Sequence, residues 1–268
     1  MEATATAGAP STTALLDVRG LSKSFRGLQA LTDYELQLRP LTIHGVIGPN
    51  GAGKTTLFHL LSGFLRPTAG SISFDGVDIT GSPAYRVSRL GIGRTFQNIR
   101  LFGEMSVLDN VKVALQRTSP ASFLATLFSS AAFARSEREL DDRSLELLRL
   151  FRLEARRDQL ARNLPYGDQR RLEIARAVAL GPRILLLDEP NAGMNPNETQ
   201  ELLGLIRRLR DELRITIILV AHDIPLVMNL CDRIQVLNYG RLIAEGDPAA
   251  VRSNPEVISA YLGQARHA

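Results

Sequence analysis

The sequence predicts an α/β protein in which a parallel sheet is interrupted by a helical insertion. Three observations carry that prediction. Segments 184–187 and 215–220 are continuous apolar runs, as strands covered on both faces of a parallel sheet require. Segment 43–47 is a third short run; it ends in a glycine-rich loop and precedes a helical stretch, the order strand, loop, helix. Beyond residue 98 the spacing turns helical, with Leu140, Leu145, Leu147, Leu148 and Leu150 set among charges.

Taken in order, residues 1–13 are small and polar, without the basic start or apolar stretch of a secretory signal, and read as a flexible tail. Short strands are expected at 15–18, 36–38, 43–47 and 71–74, and a helix at 55–65, closed by Pro67. Helices follow at 107–116 and 136–151, with a helical connection over 121–133 between them. A further helix over 172–180 stops at Gly181-Pro182, and another over 198–212 joins the two apolar strands. This organisation assigns 14–97 and 176–252 to the α/β core, 98–175 to a helical subdomain, and 253–268 to a C-terminal helix and tail.

The composition narrows the class. A chain of 268 residues suits one large domain or two subdomains sharing a core. With 44% hydrophobic and 22% charged residues it is neither disordered, collagen-like nor a disulfide scaffold. Its longest apolar run falls far short of the ~20 residues of a membrane span. The single cysteine, Cys231, leaves no intrachain disulfide or cysteine zinc cluster and fits a reducing compartment. Against 28 acidic residues stand 32 basic ones, of which only Lys23, Lys54 and Lys112 are lysine. No block of five like charges occurs, so the excess reads as solvated surface and not as a nucleic-acid face.

Gly48-Pro49-Asn50-Gly51-Ala52-Gly53-Lys54-Thr55 satisfies G-x-x-x-x-G-K-[ST], for which this composition predicts only ~0.002 chance matches. Glycines let backbone N–H groups turn inward around phosphate oxygens, and the following helix adds its positive end. Lys54 is expected to reach the β- and γ-phosphates and Thr55 to hold Mg²⁺. Gly48, Asn50, Gly51, Gly53 and Thr56 are expected to share the binding of a nucleoside triphosphate.

The run ending in Leu187-Asp188-Glu189 delivers two carboxylates to the carboxyl end of a buried strand, where ligands bind in open α/β sheets. Asp188 suits a Mg²⁺ contact, and Glu189 suits polarising a water for attack on the γ-phosphate. Leu164-Pro165-Tyr166-Gly167-Asp168 stands before a helix, with Gly167 21 residues ahead of Asp188, as a second phosphate-binding end or a plain helix start. Gln97 follows a strand and opens the insertion, and His222 follows the 215–220 strand. Taken alone, His222 reads more readily as a structural residue and Gln97 as a loop residue.

In this order the motifs resemble those of the nucleotide-binding subunit of ABC transporters, over essentially all of 14–263. Tyr-Gly-Asp-Gln-Arg-Arg-Leu-Glu-Ile-Ala-Arg-Ala, Ala-Gly-Met-Asn-Pro and the closing Val-Ile-Ser-Ala-Tyr-Leu-Gly resemble the branch that takes up branched-chain amino acids. The resemblance implies a RecA-like P-loop NTPase core with an antiparallel β subdomain and a helical insertion. It implies an ATPase coupled to transport on the cytoplasmic face of the membrane, using ATP and Mg²⁺. Its partners would be two membrane permease subunits, a second ATPase subunit and, indirectly, a solute-binding protein. ATP would lie between two ATPases, the signature residues 164–168 of one completing the site of the other. Phe25 would stack on adenine, Gln97 would join Mg²⁺ and the γ-phosphate to the permease, and His222 would contact the γ-phosphate. Two positions depart from the pattern: Pro165 replaces the usual signature serine, and Asn195 the usual aspartate. Importers of urea or short amides have very similar ATPases. A non-transport ABC ATPase would ordinarily carry two cassettes or a long coiled coil, and a P-loop kinase would lack the 164–167 segment and His222.

Overall fold

The computed structural model describes residues 14–116, 131–221 and 223–262. The tail expected over 1–13, most of the connection expected over 121–133, His222 and the closing Gly263 lie outside them. The chain starts as a hairpin of β1 (Leu16–Phe25) and β2 (Leu28–Leu38), then β3 (Ile43–Ile47) enters the glycine loop and α1 (Lys54–Leu61). There follow β4 (Ala69–Phe74), β5 (Val77–Asp78), α2 (Ala84–Leu90) and β6 (Ile92–Arg94). The helical segment holds α3 (Val107–Gln116), α4 (Ala131–Leu150) and α5 (Tyr166–Ala179). The chain then returns through β7 (Ile184–Asp188), α6 (Pro196–Asp211), β8 (Thr216–Val220), α7 (Ile224–Leu230), β9 (Arg233–Asn238), β10 (Arg241–Gly246), α8 (Pro248–Ser253) and α9 (Pro255–Leu262).

Two sheets result. One has the order β10-β9-β3-β8-β7-β6 and is parallel apart from β10; the other, β2-β1-β4-β5, is antiparallel. Every residue of β3, β7 and β8 is buried, because both faces of the parallel sheet are covered. The two-residue period of a strand divides them: Leu185 and Leu187 join the core shared with α3, α5 and α6, whereas Ile184 and Leu186 join Phe58 and the antiparallel sheet. The carboxyl ends of β3, β7 and β8 therefore open together between two cores.

Several boundaries differ from the sequence expectation. Helix α1 stops at Leu61, not at 65, because Gly63 turns at φ +74° against the Ser82 carbonyl. Helix α5 begins at Tyr166, six residues before the expected start, and runs past the subdomain boundary placed at 175. At the C-terminal end, α9 is the helix expected within 253–268, and a further short helix, α8, precedes it at the end of the segment assigned to the core. Among the described residues no helix is long and apolar enough to cross a membrane.

Candidate functional site

The glycine loop closes over itself. A Cβ on Gly48 would lie 2.1 Å from the Leu237 carbonyl oxygen, and one on Gly53, at φ +103°, 2.6 Å from that of Ala30. Only glycine lets the loop nest this closely between β9 and β2. Lys54 is buried and donates from Nζ to the carbonyls of Gly48 (2.6 Å) and Pro49 (2.8 Å). Burial pushes its pKa down, while Glu189 and Asp188 act in the opposite sense. A cavity of about 540 Å³ opens over the loop. Asn50, Gly51, Gly53, Lys54, Thr55, Thr56, Gln97 and Glu189 line it together, so the expected loop residues meet one carboxylate and the amide.

Asp188 ends β7, and its Oδ2 accepts from the Arg94 guanidinium at 3.0 Å, both side chains being buried. Arg94 lies 5.4–5.9 Å from the ring centres of Phe58, Phe64 and Phe96 and donates to Ser62 Oγ at 3.0 Å. Glu189 is left-handed at φ +47°, a conformation costing about 1–3 kcal/mol in a residue with a Cβ, and is pinned by its N–H to the Val220 carbonyl at 2.8 Å. Gln97 Nε2 donates to Glu189 Oε2 at a long 3.5 Å. Thr55 and Gln97 line the cavity, whereas Asp188 does not and lies at the strand end in its ion pair with Arg94; the side-chain oxygens of the three are of the kind that suits a hard divalent cation. Among the described residues no cluster of three or more His, Cys, Asp or Glu side chains competes with them.

The signature segment sits at a helix start. Pro165 is the N-cap of α5 and supplies no side-chain cap, and Tyr166 is the first helical residue and is exposed. Gly167 is buried against the Glu198 carboxylate, which a Cβ there would approach to 2.9 Å. Asp168 pairs with Arg156 at 3.1 Å. Asn195, the second departure, caps a different helix. Its Oδ1 accepts from the Glu198 N–H, and Glu198 Oε2 accepts from the Asn195 N–H, each at 2.9 Å. This capping box opens α6, with Pro196 at its first position.

Phe25 closes β1, partly exposed, with the Lys23 ammonium 5.1 Å from its ring centre. It is not among the residues lining the cavity; Leu28, Gln29 and Ala30 of the same hairpin are, with Tyr239 from the β9–β10 turn. His222 lies outside the described residues. Sequence reasoning also passed over Arg94, Arg170 and Tyr239. Arg94 and Arg170 carry no local sign of burial, and Tyr239 is marked only by the Asn-Tyr-Gly turn.

A nucleotide loop, an acidic strand end and a glutamine beside it, joined to a helical segment that carries its own glycine-marked helix start, define an ATP-binding cassette. The chain belongs to the ABC transporter family, whose model matches residues 31–192. It is thereby an ATPase coupled to transport. A second family, the branched-chain amino acid ATP-binding cassette transporter, matches residues 241–267. The chain is 47% identical to the high-affinity branched-chain amino acid transport ATP-binding protein BraF of Pseudomonas aeruginosa, over 94% of this chain and 98% of that one. It is 46% identical to LivG of Escherichia coli K12 over the same shares. Among solved structures, the ADP conformation of MJ1267, an ATP-binding cassette of an ABC transporter, superposes with a TM-score of 0.80 at 30% identity, covering 94% of this chain and all of that one.

Proposed function

We propose that this chain is the ATP-hydrolysing subunit of an importer for branched-chain amino acids, bound peripherally at the cytoplasmic face of the membrane. The similarity to BraF and LivG along nearly the whole chain, together with the match at 241–267, carries this reading. The partners are two permease subunits and a second ATPase, served by a solute-binding protein. The proposal assigns triphosphate binding to Gly48, Asn50, Gly51, Gly53, Lys54, Thr55 and Thr56; apart from Gly48, all of them line the cavity, which supports it. Backbone N–H groups of the loop and the positive end of α1 hold the phosphate oxygens. Lys54, now donating to two loop carbonyls, turns its ammonium to the phosphates. Phe25 stacks on adenine.

Thr55, Asp188 and Gln97 would hold a Mg²⁺ ion, which would supply charge neutralisation to the bound triphosphate. Glu189 accepts the proton of the attacking water as general base, held to β8 through its own N–H. His222 contacts the γ-phosphate. Leu164, Pro165, Tyr166, Gly167 and Asp168 complete the ATP site of the second ATPase. Gln97 also joins the site to the permease.

Uptake decides the reading. In a strain lacking its own branched-chain importer, the chain expressed with its flanking permease and binding-protein genes should restore accumulation of labelled leucine, isoleucine or valine. Accumulation of labelled urea instead would overturn the substrate assignment.

A further inference from the structure

We infer that Arg170 and Glu173 form a clamp by which the signature helix α5 holds the backbone of Gln97, so that the signature surface and Gln97 move as one. The guanidinium of Arg170 is among the most deeply buried side chains of the molecule. Its NH1 donates to the Phe96 carbonyl at 2.7 Å and to Glu173 Oε2 at 2.9 Å, and its NH2 donates to the Gln97 carbonyl. The Phe96 N–H in turn donates to Glu173 Oε1 at 3.2 Å. The backbone of two successive residues is thus gripped by one acid–base pair at i and i+3 of α5.

Both ends of this contact lead to nucleotide chemistry. On one side the Tyr166 ring, an exposed member of the signature segment, lies 5.6 Å from the same guanidinium. On the other, Gln97 Nε2 reaches Glu189. The sequence Tyr166, Arg170, Gln97, Glu189 is therefore a continuous physical path from the surface offered to the second ATPase to this chain's own general base. A buried ion pair is a poor device for stability alone, because its desolvation offsets its attraction. What the pair supplies here is direction. A planar fork fixes two carbonyls at once, which a lysine or an apolar side chain cannot do. Arg170 and Glu173 are positioning residues, acting through Gln97.

The inference rests on the proposed roles of Gln97 and of the 164–168 segment, and two measurements on the assembled transporter keep its failure separate from theirs. The first is amide hydrogen exchange over 92–100 in the full complex. Glu173→Gln and Arg170→Lys should both speed exchange there while leaving β7 and β8 protected; unchanged exchange overturns the clamp, whatever Gln97 does. The second is a double-mutant cycle between Arg170→Lys and Gln97→Ala on ATP turnover. Arg170→Lys alone should lower kcat about 10- to 100-fold, the cost of a displaced reacting group, with KM and equilibrium binding of a labelled ATP analogue within about two-fold. Added to Gln97→Ala it should lower kcat no further. Additive losses, or a parallel loss of ATP affinity, would mean that Arg170 only supports the fold. Faster exchange with normal turnover in Gln97→Ala would leave the clamp standing and remove Gln97 from catalysis. Arg170→Lys keeps the charge and its bond to Glu173, and Arg170→Met serves as the severe variant. A kcat unchanged in both, where Gln97→Ala itself is impaired, overturns the inference.

Discussion

The guanidinium of Arg94 meets Oδ2 of Asp188 at 3.0 Å, with 5% and 7% of the two side chains exposed. Arg94 stands three residues before Gln97, and Asp188 immediately before Glu189. One ion pair thus links β6 to β7 at the strand ends from which Gln97 and the proposed general base Glu189 emerge.

Breaking this pair should be costly. Arg94→Met leaves a buried carboxylate without its cation and should lower stability by about 3–5 kcal/mol. Urea denaturation with the ATP analogue absent measures it. A loss below about 1 kcal/mol would show that water reaches Asp188 and that the pair is only nominally buried.

Glu189→Gln keeps the shape and the backbone bond to Val220 but removes the carboxylate proposed as proton acceptor. Hydrolysis in the assembled transporter should fall about 10²–10⁴-fold while ATP binding stays nearly intact. Turnover close to normal would take Glu189 out of the catalytic role.

Lys54→Ala acts on binding instead. It removes a buried cation that donates to Gly48 and Pro49 and whose charge is favoured by Glu189 and Asp188. Hydrogen bonds to charged groups contribute about 1.5–3 kcal/mol each, so affinity for a labelled ATP analogue should weaken by roughly 10- to 150-fold. Equilibrium dialysis reads this directly, and unchanged affinity would assign phosphate binding to the backbone cradle alone.

How much of this was legible in the sequence follows from where each partner lies along the chain. The unit from Ile43 to Leu61 is self-contained: an apolar strand, glycines that can turn, and a helix, all local signals. Strand β7 was equally readable because every residue before Asp188 is apolar. Strands β9 and β10 gave no such sign. Gln235, fully buried in β9, is satisfied by the Tyr34 hydroxyl, the Glu35 carbonyl and Glu245, two of these some 200 residues away. Helix α5 hid its first turn behind Pro165 and Gly167, which lower helix propensity. Arg170 and Glu173 give no local sign of burial because their partners, Phe96 and Gln97, belong to a loop more than 70 residues earlier.

The buried histidine predicts the response to acid. His44 in β3 is held near pKa 4, chiefly by burial and further by Arg233, with Glu245 and Gln235 opposing. Its Nε2 has no hydrogen-bond partner among the described residues. The unfolded chain, at a histidine pKa near 6.5, binds the proton that the folded chain refuses. Stability from this group is therefore complete above pH ~6.5, declines as pH falls toward 4, and changes no further below that, a total of about 3 kcal/mol. Urea midpoints between pH 4 and 7 should flatten in His44→Leu relative to the parent. Parallel curves would mean that other groups govern the acid limb.

The last prediction concerns Pro165 at the N-cap of α5. Serine there gains a side-chain oxygen that accepts from the first-turn N–H groups, worth about 1 kcal/mol, and gives up the restraint of the proline ring, worth about 0.4–1 kcal/mol. The two nearly cancel, so Pro165→Ser should leave stability within about 0.5 kcal/mol. The cap uses the oxygen as an acceptor and leaves the hydroxyl proton to donate outward. In the assembled transporter that proton is offered to the γ-phosphate held by the second ATPase, where a charge-assisted hydrogen bond contributes about 1.5–3 kcal/mol before its desolvation is counted. In the proposed assembly backbone N–H groups of α5 would already serve that position, so the net gain should be about three- to ten-fold in ATP affinity at the second site alone. The measurement is site-resolved binding, with this chain's own site silenced by Lys54→Ala. Tightening there, with thermal stability unchanged, would show that the missing hydroxyl makes the two ATP sites unequal. An affinity that does not move would assign the contact to the backbone of α5 and make Pro165 a helix start and nothing more.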